Sequence, residues 1–390
     1  MKISLNWMKR IVDFKKVYPN GELDVNEFAS VLEKDGITVE KVTILPAGYK
    51  NLSENDAILD INVPKNRTDL LAQIWMAKEM CGIYKKSFKE FVTYIMRSPS
   101  NDWMQAELLE TKLNLNSKTP LCKMLCGRIL NNVTFNEMPQ IMKDELIAND
   151  ITISNDLNDY VNYNMRYFGQ PLVALDVDLL PSKTIIASSN HESGALYSDG
   201  KKYSYKCDDP VLMSEKEVIS IGGLLLNDKY KATTKTKNIL LLSYVFDRDT
   251  SRNLSLYYDL KDLCSVLMST GSSPQDVVRA VTTCTGMIYD NCTCESVEPQ
   301  DIFNRFDMGR KSIMYTMDEI NNILSTNLSF DDICGILSNP ELNTSMTSDG
   351  MINTTFPSYR RDNSVNDIAQ SIICYLGCYV IGQTKEKHED

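Results

Sequence analysis

The segment 153–176, ISNDLNDYVNYNMRYFGQPLVALD, constrains the fold more than any other, because it writes a helix, its stop and a strand one after the next. Asn155, Asp156 and Asp159 are short polar side chains at a helix start, where they take backbone N–H groups that lack intrahelical partners. Tyr160, Tyr163 and Tyr167 recur at helical spacing. Gly169 stops the helix, and Pro171, with no donor and a fixed φ, opens an extended run from Leu172 to Leu175. A helix handed directly to a strand asks for a mixed architecture, and the spacing by itself asks for nothing more.

With 390 residues the chain has room for two or three domains, each with a sizeable core. Hydrophobic residues make up 43% and charged residues 24%, a globular balance. The formal net charge of −11 argues against broad, sequence-independent binding to a phosphate backbone, which Lys and Arg must neutralise. A local basic patch, or a partner that brings positive surface, stays compatible with it. Eleven cysteines without a signal peptide suggest a reducing compartment. Cys292 with Cys294, Cys122 with Cys126 and Cys374 with Cys378 are close pairs, but only two histidines and no CxxC pair accompany them, so free thiols are expected over a zinc site. No apolar run approaches the roughly 20 residues that span a bilayer. A cytoplasmic protein with no membrane segment is therefore expected.

Three modules follow along the chain, in an α+β class. Residues 1–84 read as a small α/β layer. Ile3, Leu5 and Trp7 alternate, a helix starts over Trp7–Phe14, Val25–Lys34 is an amphipathic helix, and Gly36–Leu45 is a strand. Ile58–Leu71 runs from a strand through the turn Pro64-Lys65-Asn66-Arg67-Thr68-Asp69 into a helix ending near Cys81. Residues 85–120 read as a linker with one or two helices, broken at Ser98-Pro99. Residues 121–300 form the central α+β domain, with Asp199-Gly200-Lys201 as a hairpin turn and two buried-looking runs, Val218–Leu226 and Ile239–Phe246. Residues 308–381 carry helices over Tyr315–Leu324 and Asp331–Leu337, a turn at Asp349-Gly350, a strand over Met351–Phe356 and a helix over Asn366–Tyr379. The charged tail 382–390 is expected to be disordered.

Asn155, Asp159, Asn162, Tyr163, Met165 and the run Gly169-Gln170-Pro171-Leu172, followed by Ala174 and Asp176, resemble the central domain of the bacterial phenylalanyl-tRNA synthetase β chain. The opening MKISLNW and the Pro64, Asn66, Arg67, Asp69 signature resemble its N-terminal module, and the helix pair, PSYRRD (357–362) and final helix resemble its winged, helix-turn-helix-like module. The resemblance implies a small N-terminal α/β layer, a central editing-type domain and a winged C-terminal module. In that family the central domain hydrolyses tRNA mischarged with tyrosine. The short loop between Val39 and Ile58 leaves no room for the oligonucleotide-binding insertion most members carry there, and the chain is expected to lack the large synthetase-like domain and the anticodon-stem domain.

Set against the family's editing pocket, the candidate positions have changed chemistry. Val173 stands where a pocket histidine lies in the family's GQPLHAFD run, and Leu175 replaces an aromatic residue. Gly222 and Gly223 survive one step early, while Leu226 and Asn227 occupy the places of the closing glycine pair. The pocket glutamate falls at Leu242, and Leu267, Met268, Ser269 and Thr270 replace Arg-Phe-Glu-Arg before Gly271 and Pro274. Val173, Leu226, Asn227, Leu242, Leu267 and Ser269 thus define a degenerate pocket. Discrimination in such a pocket rests on polar groups that an incorrect substrate leaves unpartnered. Filling it with apolar side chains instead stabilises burial at roughly 25 cal/mol per Å². The family's magnesium-associated acidic set keeps Asp362 and Asp367, but Gln370 and Ser371 stand for its two glutamates; no cofactor is expected, with magnesium the weaker reading.

Arg67 and Asp69 read first as a structural ion pair and helix cap, and second as an RNA contact. Lys65, Arg67, Arg360 and Arg361 are the candidate RNA contacts, with Lys231, Lys235 and Lys237 as further basic positions. His191 has no motif around it and reads as a surface residue; phosphate-binding glycine loops and nucleophile elbows are absent. The resulting expectation is a non-catalytic binding or structural protein, not an enzyme by itself, that works through a protein partner such as a synthetase α chain or a larger assembly, with tRNA as an open second partner. The alternative is a functional β subunit that supports α-chain charging of tRNA with phenylalanine. Free-standing hydrolysis of mischarged tRNA is disfavoured.

Overall fold

Strand Ile239–Phe246 is buried at every position, which is why its sequence is one continuous apolar run rather than an alternation. Alternate residues face opposite layers. Leu240, Leu242, Tyr244 and Phe246 join a core cluster between two sheets, while Ile239, Leu241 and Ser243 are equally buried on the other face. The computed structural model describes residues 1–18, 23–64, 67–86, 111–271, 273–305, 311–338, 342–357, 360 and 364–376. Its mixture of helices and sheets is α+β, and the described residues divide into two compact units.

The unit that contains this strand comprises 111–146 and 151–305. Ile239–Phe246 lies between Cys122–Asn131 and Leu172–Asp176, antiparallel to both. Asp301–Asn304 and Ser296–Val297 pair with the far side of Cys122–Asn131. A second sheet is ordered Leu225–Leu226, Glu217–Ile221, Val211–Ser214, Thr184–Ser188, Asn114–Ser117, with the last pair parallel. Between the two sheets lie Leu115, Leu125, Ile129, Leu175, Ile185, Leu212, Ile219, Leu240 and Leu242. Helices Leu157–Phe168 and Pro274–Asn291 pack on the outer side of the first sheet, with Tyr160, Tyr163 and Tyr167 fully buried. The hairpin Gly194–Ser198 to Lys201–Tyr205 closes a smaller cluster beyond the second sheet. Its turn, Asp199-Gly200, has two consecutive positive φ values of 49° and 73°, the conformation that two-residue hairpins need.

The second unit comprises the described residues up to 86 with 147–150 and 311–376. Lys2–Ser4 and Thr38–Leu45 flank the central strand Asp56–Asn62 in an antiparallel sheet. Helix Val25–Lys34 begins where the Asp24 carboxylate accepts the N–H groups of Asn26 and Glu27. Helix Gln73–Ile83 is buried nearly all round. In the same unit, Ser312–Tyr315, Ile352–Thr355 and Asn343–Met346 form a three-stranded sheet, with helices Met317–Leu324, Phe330–Ser338 and Val365–Leu376 around a core that includes Tyr315, Ile333, Phe356 and Ile372. The Tyr375 ring lies so close to Gly82 that a Cβ there would sit 2.4 Å from it.

Several expectations shift. Asn114–Ser117, within the stretch read as linker, is a strand of the second sheet, because Leu115 enters the core while its polar neighbours face out. Residues 87–110 of that stretch lie outside the described residues, as does the tail. Val218–Leu226 is a hairpin rather than one run, since Gly222 and Gly223 turn the chain at φ 57° and 73°. Tyr315 ends a strand, and its helix starts after Thr316, whose hydroxyl accepts the Glu319 N–H. His191 is half-buried, with Nε2 2.8 Å from the Asp209 carbonyl oxygen and the ring edge-on to Tyr205.

Gly223 combines its positive φ with a Cβ direction that meets the Tyr244 ring at 2.3 Å, whereas Gly200, at φ 73°, has nothing within 4 Å. Gly223→Ala should therefore cost roughly 2–4 kcal/mol, the backbone term plus overpacking, and Gly200→Ala about 1 kcal/mol. Equal losses in urea denaturation would contradict the packing described.

Candidate functional site

The signature stretch is spent on structure. The Asp159 carboxylate accepts the N–H of Ser154 at 2.9 Å and of Asn155 at 2.8 Å, and so holds Asn155 at φ 55°. Asp156 caps the helix through the Asn158 N–H. Gly169 closes it in the left-handed conformation. Gln170, fully buried, donates to the Tyr244 carbonyl at 3.0 Å and to Ser243 Oγ at 3.1 Å, while Ser243 donates back to the Pro171 carbonyl at 2.7 Å. Asp176 accepts from Thr236 Oγ1 at 2.7 Å. These bonds dock the helix-to-strand junction onto Ile239–Phe246.

The candidate pocket positions lie along the same strands. Val173 is directly opposite Leu242 in the antiparallel register, and Leu242 faces Gly127 on its other side. Val173, Leu226, Leu242 and Met268 belong to one apolar cluster, with Leu242 at 0% exposure and Val173 and Leu226 partly buried. Asn227 stands at its edge with its polar atoms already used: Nδ2 donates to the Val218 carbonyl at 3.1 Å, and Oδ1 accepts the Lys229 N–H at 3.1 Å. Leu267 is buried, and the Ser269 hydroxyl donates to Ser255 Oγ at 3.3 Å. The polar groups next to the cluster are poor acid–base or nucleophilic catalysts. Burial pushes the Tyr244 phenol well above its usual range, and its hydroxyl donates to the Gly223 carbonyl at 2.6 Å. Burial also pushes the Cys264 thiol up to about 12, so at neutral pH it carries its proton and is not a nucleophile.

In the other unit, Arg67 and Arg360 are 8% and 4% exposed. The Arg67 guanidinium donates to both oxygens of Asp69, at 3.2 and 3.0 Å, and to both of Glu79, at 2.7 and 2.5 Å. Such a doubly bidentate guanidinium has no fork left for a phosphate. The ion pair with Asp69 is thus present, but Asp69 caps no helix: Ala72 holds the N-cap of Gln73–Ile83. Arg360 donates to the Tyr375 hydroxyl at 3.2 Å and to Ser371 Oγ at 2.7 Å, and Tyr375 donates to Glu79 at 3.1 Å. Both arginines lie inside an ionic network, so burial takes them out of the set of phosphate contacts; Lys65, Arg361 and Asp362 lie outside the described residues. Lys231 is paired with Asp199 at 2.5 Å and Asp228 at 2.9 Å.

Of the two acids kept from the magnesium-associated set, Asp367 is described and Asp362 is not. The Asp367 carboxylate accepts the Ser364 N–H at 3.0 Å and hydroxyl at 2.9 Å, and Gln370 and Ser371 bring no charge. No group of three or more His, Cys, Asp or Glu among them is placed to hold a metal.

Asp35, Glu79 and Tyr375 are functional-looking groups that the sequence pattern did not single out. Asp35, 5% exposed, shares a cavity of about 20 Å³, room for about one water, with Arg67, Glu79, Asp367, Ser371 and Cys374. Glu79 had a signal available, as an acid inside the apolar run IWMAKEMCGI. Asp35 had none, since Lys34-Asp35-Gly36 reads as an ordinary surface turn.

Residues 121–293 match the B3/4 domain family. The phenylalanine–tRNA ligase β subunit of Streptococcus thermophilus (strain CNRZ 1066) is 25% identical over 350 residues, which cover 88% of this chain and 42% of that protein. The β subunit of Fusobacterium nucleatum is 24% identical over 346 residues, covering 84% and 40%. Among solved structures, an N-terminal fragment of the phenylalanyl-tRNA synthetase β-subunit from Pyrococcus horikoshii is 12% identical, with a TM-score of 0.45 and coverage of 96% and 99%. Through most of its length the chain is phenylalanyl-tRNA synthetase β-like, and it spans about two-fifths of the curated relatives' length. Among the described residues no helix is long and apolar enough to cross a membrane.

Two substitutions probe these assignments. Leu242→Glu puts a carboxylate into the layer between the sheets and should destabilise the protein by roughly 4 kcal/mol or more, read as a fall in denaturation midpoint; a loss under about 1 kcal/mol would show the position to be solvated. Arg67→Ala strands Asp69 and Glu79 and should cost about 3–5 kcal/mol of folding stability, where a surface phosphate contact would cost almost none.

Proposed function

We propose that this phenylalanyl-tRNA synthetase β-like chain works by binding rather than catalysis, as a non-catalytic scaffold in the cytoplasm that docks on another protein, a synthetase α chain or a larger assembly. The observation that supports this reading is the chemistry around Leu242. Where an editing pocket needs polar groups converging on an ester and a water, the chain sets Val173, Leu226, Leu242 and Met268 in one apolar cluster. Asn227 and Ser269, the polar candidates, are bonded to the protein itself. Hydrolysis requires a base or a positioned water near the ester, and the neighbouring titratable groups are held protonated by burial. Contacts with tRNA are secondary in this proposal and fall to exposed lysines, because Arg67 and Arg360 lie inside the unit.

A second reading draws on the sequence similarity to β subunits over 88% of the chain: a working β subunit that supports charging of tRNA with phenylalanine by an α chain. The two readings separate in the test tube. Purified protein added to Tyr-tRNA should release no tyrosine above the uncatalysed rate, and affinity capture should recover a stoichiometric protein partner. Release well above background overturns the scaffold reading. A gain in phenylalanine charging when the protein is mixed with the α chain of its own organism establishes the second.

A further inference from the structure

Asp35 is a buried carboxyl with neither side-chain oxygen hydrogen-bonded to any described residue, at 5% exposure. It ends the helix Val25–Lys34, and its own backbone carbonyl accepts the Cys374 thiol at 2.9 Å, 339 residues along the chain. The side chain opens on the small cavity where the N-terminal segment meets helix Val365–Leu376 within one unit.

Every titratable group around this cavity bears on what Asp35 can do. From helix Gln73–Ile83 comes Glu79, a like charge. From the preceding turn come Arg67 and Asp69, with Arg67 committed to Asp69 and Glu79. From the C-terminal segment come Arg360, bonded to Tyr375 and Ser371, and Asp367, which caps its own helix through Ser364. Burial holds the Cys374 thiol and the Tyr375 phenol in their neutral forms. Burial also pushes Glu79 up, but Arg67 and Arg360 outweigh it and keep Glu79 ionised. Asp69 and Glu79 already pair with Arg67, Asp367 is a further carboxyl at the cavity beside Arg360, and a charged Asp35 would be one more anion with no hydrogen-bond donor of its own.

We propose that Asp35 is a proton-holding site: its carboxyl stays neutral while helix Val365–Leu376 is docked on the N-terminal segment, and losing that proton loosens the docking. A buried carboxyl without donors favours its protonated form, and a neighbouring carboxylate reinforces this. Burial first, and Glu79 second, push Asp35 up to about 9, against the opposing pull of Arg67 and Arg360. In the unfolded chain the same group titrates near 4. The folded protein therefore binds one more proton than the unfolded chain between about pH 4 and 9, so stability falls as pH rises across this window.

The test compares urea denaturation of the full chain and of Asp35→Asn from pH 6 to 9, with fluorescence as the probe. The amide keeps the shape of the neutral carboxyl and cannot ionise. The unfolding constant of the wild type should rise by about tenfold per pH unit more steeply than that of the variant, and the variant should have the higher midpoint at pH 8. Parallel pH profiles overturn the proposal. So does failure of Asp35→Asn to fold, since a neutral isostere must be tolerated if the native group is neutral.

Discussion

Burial of the Ile239–Phe246 strand on both faces is the constraint from which most of the central unit follows. A strand sealed on two sides cannot leave a backbone group without a partner, and Ile239–Phe246 meets this by pairing with Cys122–Asn131 on one side and Leu172–Asp176 on the other. It cannot carry a charge at Leu242 without stranding it between two sheets. The same burial places Tyr244 where its hydroxyl finds the Gly223 carbonyl and its ring fills the space a Cβ on residue 223 would need, which together with the positive φ there calls for glycine. Apolar chemistry at the candidate pocket and rigidity of the surrounding frame are therefore two sides of one packing solution.

The second unit is organised around the opposite kind of interaction. Arg67 joins Asp69 and Glu79, and Tyr375 joins Glu79 to Arg360, in a network that is nearly closed to solvent. Buried ionic groups of this sort contribute little net stability relative to a well-packed apolar core, but removing one member is costly because its partners stay behind. Their geometry also admits few alternatives. A planar guanidinium held by two carboxylates fixes the turn before Gln73–Ile83, and the Tyr375 ring over Gly82 fixes where the helix Val365–Leu376 lies within the unit. The network specifies an arrangement more than it strengthens one.

What the sequence disclosed depended on how local the cause was. Val25–Lys34 and Ile239–Phe246 have the bounds their patterns suggest, because a cap at Asp24 and an uninterrupted apolar run are written in neighbouring residues. Asp199-Gly200 is a turn for the same reason. Asn114–Ser117 gave little signal: three of its four residues are polar, and its place in the sheet comes from Thr184–Ser188, far along the chain. The start of helix Met317–Leu324 was legible in Thr316 with Glu319 three residues later, a stronger cue than the aromatic Tyr315. At the candidate sites, residue identity could be aligned, but burial could not be read. Arg67 reads in sequence first as an ion pair with Asp69, which it makes, but neither its second partner Glu79 nor the burial of Arg360 is written nearby, and Asp35 looks like part of an exposed turn; Tyr375 and Cys374 reach Glu79 and Asp35 from nearly 300 or more positions away.

The network around Arg67 draws its members from residues 67–79 and again from 360–375, with the whole central unit encoded between them. A ribosome delivers these two groups far apart in time. Domains made entirely of one continuous span can settle as soon as they emerge, but the first-made carboxylates and guanidinium here must wait for Tyr375 and Arg360. During that interval the nascent N-terminal segment holds Glu79 without the tyrosine hydroxyl it later accepts, and Gly82 without the ring that covers it. Translation order thus makes helix Val365–Leu376 the later-made piece that completes a network begun by residues 67–79.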